Sequence, residues 1–344
     1  MSTHNTENTP SGAPVPLTKK DFVTDQEVRW CPGCGDYAIL ATVQGVMPEL
    51  GVPRENIVFI SGIGCAARFP YYMQTYGMHS IHGRAPAIAT GLAASRPDLS
   101  VWVVGGDGDM LSIGGNHLIH ALRRNVNLNI LMFNNQVYGL TKGQYSPTSP
   151  RGQRSGSTPL GSIDQPFNPL GVAIGAEATF VARAIDTDRK HVAEVLRRAA
   201  AHPGTAFVEI LQNCNIFNDG AFSDLTEREV KADHQLVLES GKPLVFGKDR
   251  DRGIRLNGLR PEVVSLRDVP ESEILIHDEK NPVLAYLLAH MTPPSFPTPI
   301  GVLFEVDRPA YEQGVHAQIE QAVARGKGET LEQVIATGDV WTVS

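Results

Sequence analysis

Four cysteines, Cys31, Cys34, Cys65 and Cys214, are the only thiols in 344 residues, spaced Cys-x2-Cys-x30-Cys-x148-Cys. The first two sit in Trp-Cys-Pro-Gly-Cys-Gly (30–35). A Cys-x-x-Cys pair suits a zinc knuckle, a redox dithiol, part of a disulfide framework or an iron–sulfur site. The N-terminal twenty residues are polar and rich in Pro, Ser and Thr, with no apolar run of the signal-peptide kind. The chain therefore reads as cytoplasmic, where structural disulfides are disfavoured. A redox dithiol would leave Cys65 and Cys214 without a role. Zinc ribbons use two close pairs, whereas these two cysteines stand alone. On spacing, a [4Fe–4S] cluster, a four-thiolate zinc site and unrelated core cysteines all stay open.

A second constellation lies at Gly105–Gly139. Gly106-Asp107-Gly108 follows one apolar run, and Asn134-Asn135 ends the next, with 25 residues between them. That length suffices for one crossover helix and a returning strand, which would make the two loops neighbours. A carboxylate and an amide oxygen there form a hard oxygen site of the kind magnesium prefers. The glycines let a diphosphate approach backbone N–H groups, and a helix start adds positive potential. Taken alone, Asp-Gly and Asn-Asn are ordinary turn dipeptides. The ordered combination of strand, Gly-Asp-Gly, helix, apolar strand and Asn-Asn resembles the thiamin-diphosphate signature. Its Mg²⁺ ligands map onto Asp107, the Asn135 side chain and the backbone carbonyl of Val137.

The elements that must position these residues follow from the apolar pattern. Asn-Ile-Val-Phe-Ile-Ser (56–61), Ser-Val-Trp-Val-Val (100–104), Leu-Asn-Ile-Leu-Met-Phe (128–133) and Phe-Val-Glu-Ile-Leu (207–211) read as short buried strands. They end in Gly-Ile-Gly-Cys, Gly-Gly-Asp-Gly-Asp, Asn-Asn-Gln-Val-Tyr-Gly and Gln-Asn-Cys-Asn. Residues 114–125 and 188–202 read as helices, on Leu118, Ile119 and Leu122 and on Val192, Val195, Leu196 and Ala199. Alternating strands and helices predict an α/β fold, a parallel sheet with helices on both faces. Ligands of such sheets bind outside the carboxyl ends of the strands. Cys65, Asp107, the Asn-Asn pair and Cys214 all fall there, and the 31–34 loop can fold over the same edge.

Bulk properties limit the function classes. Apolar residues are 42 %, enough for a large core, and Asp+Glu exceed Lys+Arg by 37 to 30 with no basic block. Nucleic-acid binding has no electrostatic support, and no apolar run is long enough for a transmembrane helix. The expected organisation is a disordered tail over 1–20, a cofactor-binding domain over 21–235 and a C-terminal extension over 236–344. The extension is charged and loop-rich at first, then helical around 281–291 and 311–326. It is expected to pack on the core or on a partner.

Trp-Cys-Pro-Gly-Cys-Gly, Gly-Ile-Gly-Cys, the stretch His82–Ala93, the Gly-Asp-Gly-Asp loop with its helix, and Asn-Asn-Gln-Val-Tyr-Gly-Leu-Thr-Lys-Gly-Gln together resemble the β subunit of 2-oxoacid:ferredoxin oxidoreductases. The likeness is strong over roughly residues 20–230, and greatest to the 2-oxoglutarate branch. It implies a three-layer thiamin-diphosphate-binding fold in which Cys31, Cys34, Cys65 and Cys214 hold one [4Fe–4S] cluster beside the thiamin. It implies cofactor contacts from Ile63, Gly64, Cys65, His82, Gly83, Arg84, Gly106, Gly108, Asp109, Gly139, Leu140 and Thr141. Lys142 and Arg68 are the candidates for the substrate's distal carboxylate. The glutamate that normally engages the aminopyrimidine is absent from these motifs, so the resemblance implies a separate α subunit, in an α2β2 or αβ assembly. The expected activity is CoA-linked oxidative decarboxylation of 2-oxoglutarate to succinyl-CoA and CO2, with ferredoxin as acceptor. Pyruvate or broad-range specificity and a non-catalytic iron–sulfur relay are the alternatives. Ser146–Ser162, rich in Pro, Ser and Gly, reads as a long loop, either a lid or simply exposed.

Overall fold

The structure is a computed structural model that describes residues 16–326 and 330–343. Residues 1–15 of the expected tail lie outside the described residues. From Thr18 the chain is anchored: Lys19–Phe22 forms one 3-10 turn closed by reciprocal Thr18–Asp21 bonds, and Phe22 is buried.

Among the described residues eight strands form the main sheet: β1 (Ile57–Ser61), β2 (Tyr76–His79), β3 (Ser100–Gly106), β4 (Leu128–Asn134), β5 (Phe180–Ile185), β6 (Thr205–Leu211), β7 (Gln235–Val237) and β11 (Thr298–Glu305). Their order is β2-β1-β3-β4-β6-β5-β11-β7. All neighbours are parallel except β11 against β5. β8 (Val245–Phe246), β9 (Arg252–Asn257) and β10 (Arg260–Ser265) make a small antiparallel sheet.

The central strands are buried along their whole length because both faces are covered. Side chains alternate between the two faces at period two. Val101, Val103, Ile130 and Met132 pack on α2 (Ala85–Ser95), α4 (Gly115–Arg124), α5 (Pro169–Gly175) and α9 (Pro282–Ala289). Trp102, Val104, Leu131 and Phe133 pack on α1 (Asp36–Val46) and α6 (Arg189–Ala201). This is the predicted three-layer α/β architecture. Short helices α3 (Asp107–Leu111), α7 (Ser223–Thr226) and α8 (Lys231–His234) lie in the connections, and α10 (Tyr311–Arg325) and α11 (Leu331–Ile335) end the chain.

One helical face differs from expectation. Leu118 and Leu122 are buried with Ala121, but Ile119 is 40 % exposed. At 100° per residue Ile119 falls between the core stripe and solvent, and the small Ala121 takes the inner position. The stretch from residue 235 supplies β7 and β11 to the main sheet, with α9 packed on β11.

The chain leaves β1 first to β2 on one side, then returns to β3 on the other. The loops after β1 and β3 therefore part at a topological switch point, where open α/β sheets bind ligands.

Candidate functional site

β3 delivers Gly105–Asp109 into α3. Asp107 is buried, and its Oδ2 accepts hydrogen bonds from Ser146 Oγ and Thr148 Oγ1, each at 2.5 Å. Burial pushes its pKa up to about 6, against those two hydroxyls. Gly108 has no alternative side chain: a Cβ would stand 2.2 Å from the Tyr138 ring, whose hydroxyl donates to the Gly108 carbonyl at 3.1 Å.

Asp109 ties three segments together. Its Oδ1 accepts from the Ile63 N–H at 3.0 Å, the Gly83 N–H at 2.7 Å and His82 Nδ1 at 2.6 Å. Its Oδ2 is buried without a partner among the described residues, and a Cβ on Gly62 would come within 2.0 Å of it. Burial raises the Asp109 pKa, and the two amides and His82 oppose this.

The two asparagines at the end of β4 part company. Asn134 turns into the sheet and donates to Glu209 at 2.7 Å. Asn135 forms an Asx turn onto the Val137 N–H at 3.2 Å, across Gln136 in the left-handed region. Asp107, Asn135 and Val137 line one cavity of about 590 Å³. Ile63, Gly64, Cys65, His82, Gly106, Gly108, Asp109, Gly139, Leu140 and Thr141 line it too. Gly83 and Arg84 do not: Gly83 is spent on Asp109, and the Arg84 guanidinium donates to the His82 carbonyl at 3.2 Å. A buried carboxylate, an amide and a backbone carbonyl beside a glycine-lined space fit a hard divalent cation carrying a diphosphate.

All four cysteines line a second cavity of about 200 Å³, and all four are free thiols. The Cys31–Cys34 turn closes through Cys34 N–H to the Cys31 carbonyl at 3.0 Å, with Gly33 in the left-handed region. Asn215 holds it by donating to the Pro32 carbonyl at 2.7 Å. Trp30 Nε1 donates to the Cys65 carbonyl at 2.7 Å, and Gln212 Nε2 reaches Cys34 Sγ at 3.3 Å. Burial pushes Cys65 up to about 11 and Cys34 higher, helped at both by the Asp36 charge. Ligation here must release protons. Among the described residues no three His, Cys, Asp or Glu side chains converge on a single-ion site. One zinc ion would need its sulfurs about 3.8 Å apart, from Zn–S bonds of about 2.3 Å. Thiols ringing a cavity fit a larger polynuclear centre better.

The two cavities share Cys65, Asn135, Gly139 and Leu140. A Cβ on Gly139 would lie 3.5 Å from Cys65 Sγ and 3.6 Å from Cys214 Sγ, so one backbone segment separates the two spaces. Lys142 lines the cysteine cavity, in the left-handed region. Arg68 lines it as well, and also lines a third cavity of about 480 Å³ with Arg29 and His79. That third space meets the first at Ile63, Gly64 and Leu140.

A family model described as "Thiamine pyrophosphate enzyme, C-terminal TPP binding domain" matches residues 62–210. 2-Oxoglutarate oxidoreductase subunit KorB of Mycobacterium tuberculosis is 54 % identical over 333 residues, which cover 95 % of this chain and 89 % of that one. The chain belongs to the 2-oxoacid:ferredoxin oxidoreductase β-subunit family. A Sulfolobus 2-oxoacid:ferredoxin oxidoreductase subunit beta is 47 % identical over 57 % of this chain and 65 % of its own length. The solved 2-oxoglutarate:ferredoxin oxidoreductase from Magnetococcus marinus, with 2-oxoglutarate, coenzyme A and succinyl-CoA bound, superposes with a TM-score of 0.76 at 34 % identity. That match covers 94 % of this chain and 97 % of the other.

Four further residues of this β subunit serve the sites without having been singled out in the sequence. Ser146 and Thr148 hold Asp107, Tyr138 packs against Gly108, and Gln212 links Asn135 to Cys34. Ser146 and Thr148 open the loop expected to be a lid or exposed, yet both are buried. Their signal was the hydroxyl run Ser-Pro-Thr-Ser just after the Asn-Asn loop, masked by its turn-like composition. Among the described residues no helix is long and apolar enough to cross a membrane.

Proposed function

We propose that this chain is the β subunit of a 2-oxoglutarate:ferredoxin oxidoreductase, which converts 2-oxoglutarate and CoA to succinyl-CoA and CO2 and passes electrons singly to ferredoxin. The shared wall between the Asp107 cavity and the four-cysteine cavity carries this reading. When bound, thiamin diphosphate supplies the nucleophile and electron sink for decarboxylation, and a [4Fe–4S] cluster supplies one-electron acceptance.

The residues divide the remaining work. Asp107, Asn135 and the Val137 carbonyl would hold Mg²⁺, and the glycines at 106 and 108 keep the approach to the diphosphate open. Asp109 clamps the Ile63 and His82 segments to the same loop, so both walls of the cavity are set by one carboxylate. It also orients the His82 ring through Nδ1, leaving Nε2 for the cavity. Cys31, Cys34, Cys65 and Cys214 would hold the cluster, against the other side of Gly139. Arg68 and Lys142 offer cations beside the shared wall, where a second carboxylate distinguishes 2-oxoglutarate from pyruvate.

The pyrimidine-activating glutamate is supplied by an α subunit, in an α2β2 or αβ enzyme, so the isolated chain is inactive. The test is co-expression with that subunit, followed by anaerobic iron and sulfide analysis, EPR and viologen reduction. Four iron atoms per chain and faster turnover of 2-oxoglutarate than of pyruvate are expected. A zinc-loaded chain, or preference for pyruvate, would overturn the assignment.

A further inference from the structure

The middle of the sheet carries a charge pair that packing does not require. Arg183 on β5 and Glu209 on β6 are cross-strand partners, both buried, and Arg183 Nε donates to Glu209 Oε2 at 2.6 Å. Their strands are otherwise almost wholly apolar. A packed hydrophobic pair at such a place is commonly as stable as an ion pair or more so. The second carboxylate oxygen shows where the pair acts. Glu209 Oε1 accepts from Asn134 Nδ2 at 2.7 Å, which fixes the amide with Oδ1 facing away from the pair. That Oδ1 accepts from the Gln136 N–H at 3.2 Å and lies 2.9 Å from Thr148 Oγ1. Thr148 Oγ1 also stands 2.5 Å from Asp107 Oδ2. One hydroxyl proton thus faces two acceptors.

We infer that Arg183 and Glu209 are positioning residues for the cation site: they lock Asn134 so that its Oδ1 is a standing second acceptor for Thr148. When Asp107 turns its lone pairs to a cation, the Thr148 hydroxyl rotates to donate to Asn134 Oδ1, while Ser146 Oγ has Ser149 Oγ at 3.3 Å, so neither buried hydroxyl is orphaned. Without the lock the amide can reverse, presenting Nδ2 to Thr148. Cofactor binding then breaks a buried hydrogen bond that nothing replaces. Leaving one such group unsatisfied corresponds to roughly tenfold to hundredfold weaker binding.

The inference rests on the cofactor site proposed above. It is tested by calorimetric titration of Mg²⁺–thiamin diphosphate into the assembled enzyme. The R183L/E209L variant, which leaves no unpaired charge, is expected to keep its Tm yet bind at least tenfold more weakly. The volume-conserving E209Q, titrated below its melting transition, is expected to lose a similar factor. Adding T148V to either should cause no further loss, because the contested proton is then gone. Wild-type affinity in both variants, or a loss that simply adds to that of T148V, would overturn the inference. Failure of the wild-type enzyme to bind the cofactor would instead overturn the site itself.

Discussion

Replacing Gly139 by Ala separates the bare fold from the loaded one. Gly139 is not in the left-handed region, so an L side chain introduces no backbone strain. The added methyl would meet Cys65 Sγ at 3.5 Å and Cys214 Sγ at 3.6 Å, ordinary contact distances for the free thiols. The apo chain should therefore stay within about 0.5 kcal/mol of wild type. Any centre bonded to both sulfurs must lie against that methyl. Overpacking a filled space costs about 1–3 kcal/mol, which weakens retention of the centre by roughly fivefold to more than a hundredfold. The assay is iron per chain, and EPR amplitude after anaerobic reconstitution and desalting, alongside the melting temperature of the apo protein. An unchanged apo Tm with depleted iron is expected. Full iron and an identical spectrum would show that the Cys65–Cys214 gap is not where the centre sits. A collapsed apo Tm would show that the site is tighter than its contacts imply.

Gly108→Ala should weaken Mg²⁺–thiamin diphosphate binding by about tenfold or more, read by calorimetry, because its Cβ overlaps the Tyr138 ring. Trimming that ring in G108A/Y138A should restore part of the affinity, and no restoration would refute the steric cause. Lys142→Ala should lower kcat/KM for 2-oxoglutarate roughly tenfold to hundredfold, the scale of one charge-assisted bond. Equal losses with pyruvate would remove Lys142 from substrate choice. Burial holds the His277 imidazole below its ordinary pKa, while Nε2 rests on the Val302 carbonyl at 2.8 Å. The folded chain then binds fewer protons than the unfolded one as pH falls below about 6.5, so this group's contribution is complete above that pH and lost in acid. Melting scans from pH 7.5 to 5.5 should show a shallower decline in His277→Gln, and an unchanged slope would contradict this.

The loops bearing Cys65, Asp107, Asn135 and Cys214 were legible because each follows a short apolar run, and those runs form the contiguous strands β1, β3, β4 and β6. Strand β5 escaped notice because Arg183 interrupts its apolar pattern, and only the facing Glu209 makes that charge tolerable. Strand β2 is exposed throughout and carries no burial signal. β11 holds Pro299 and Gly301, which argue against a strand when read alone. Its pairing partners lie more than sixty positions away along the chain, a separation no local pattern reports. The hydroxyls on Asp107 belong to the same class: Ser146 and Thr148 matter through a contact some forty residues distant.

Strand β11 also bears on how the molecule is made. It closes the open side of β5 with a segment that ends at Glu305. A ribosome that has released everything through residue 235 has produced the loops that line both cavities, yet still presents β5 as a bare, apolar hydrogen-bonding rim. Shortening the gene there, to isolate the part that lines the two cavities, would give a sticky sheet margin prone to self-association. Expression trials should therefore keep the segment through Glu305.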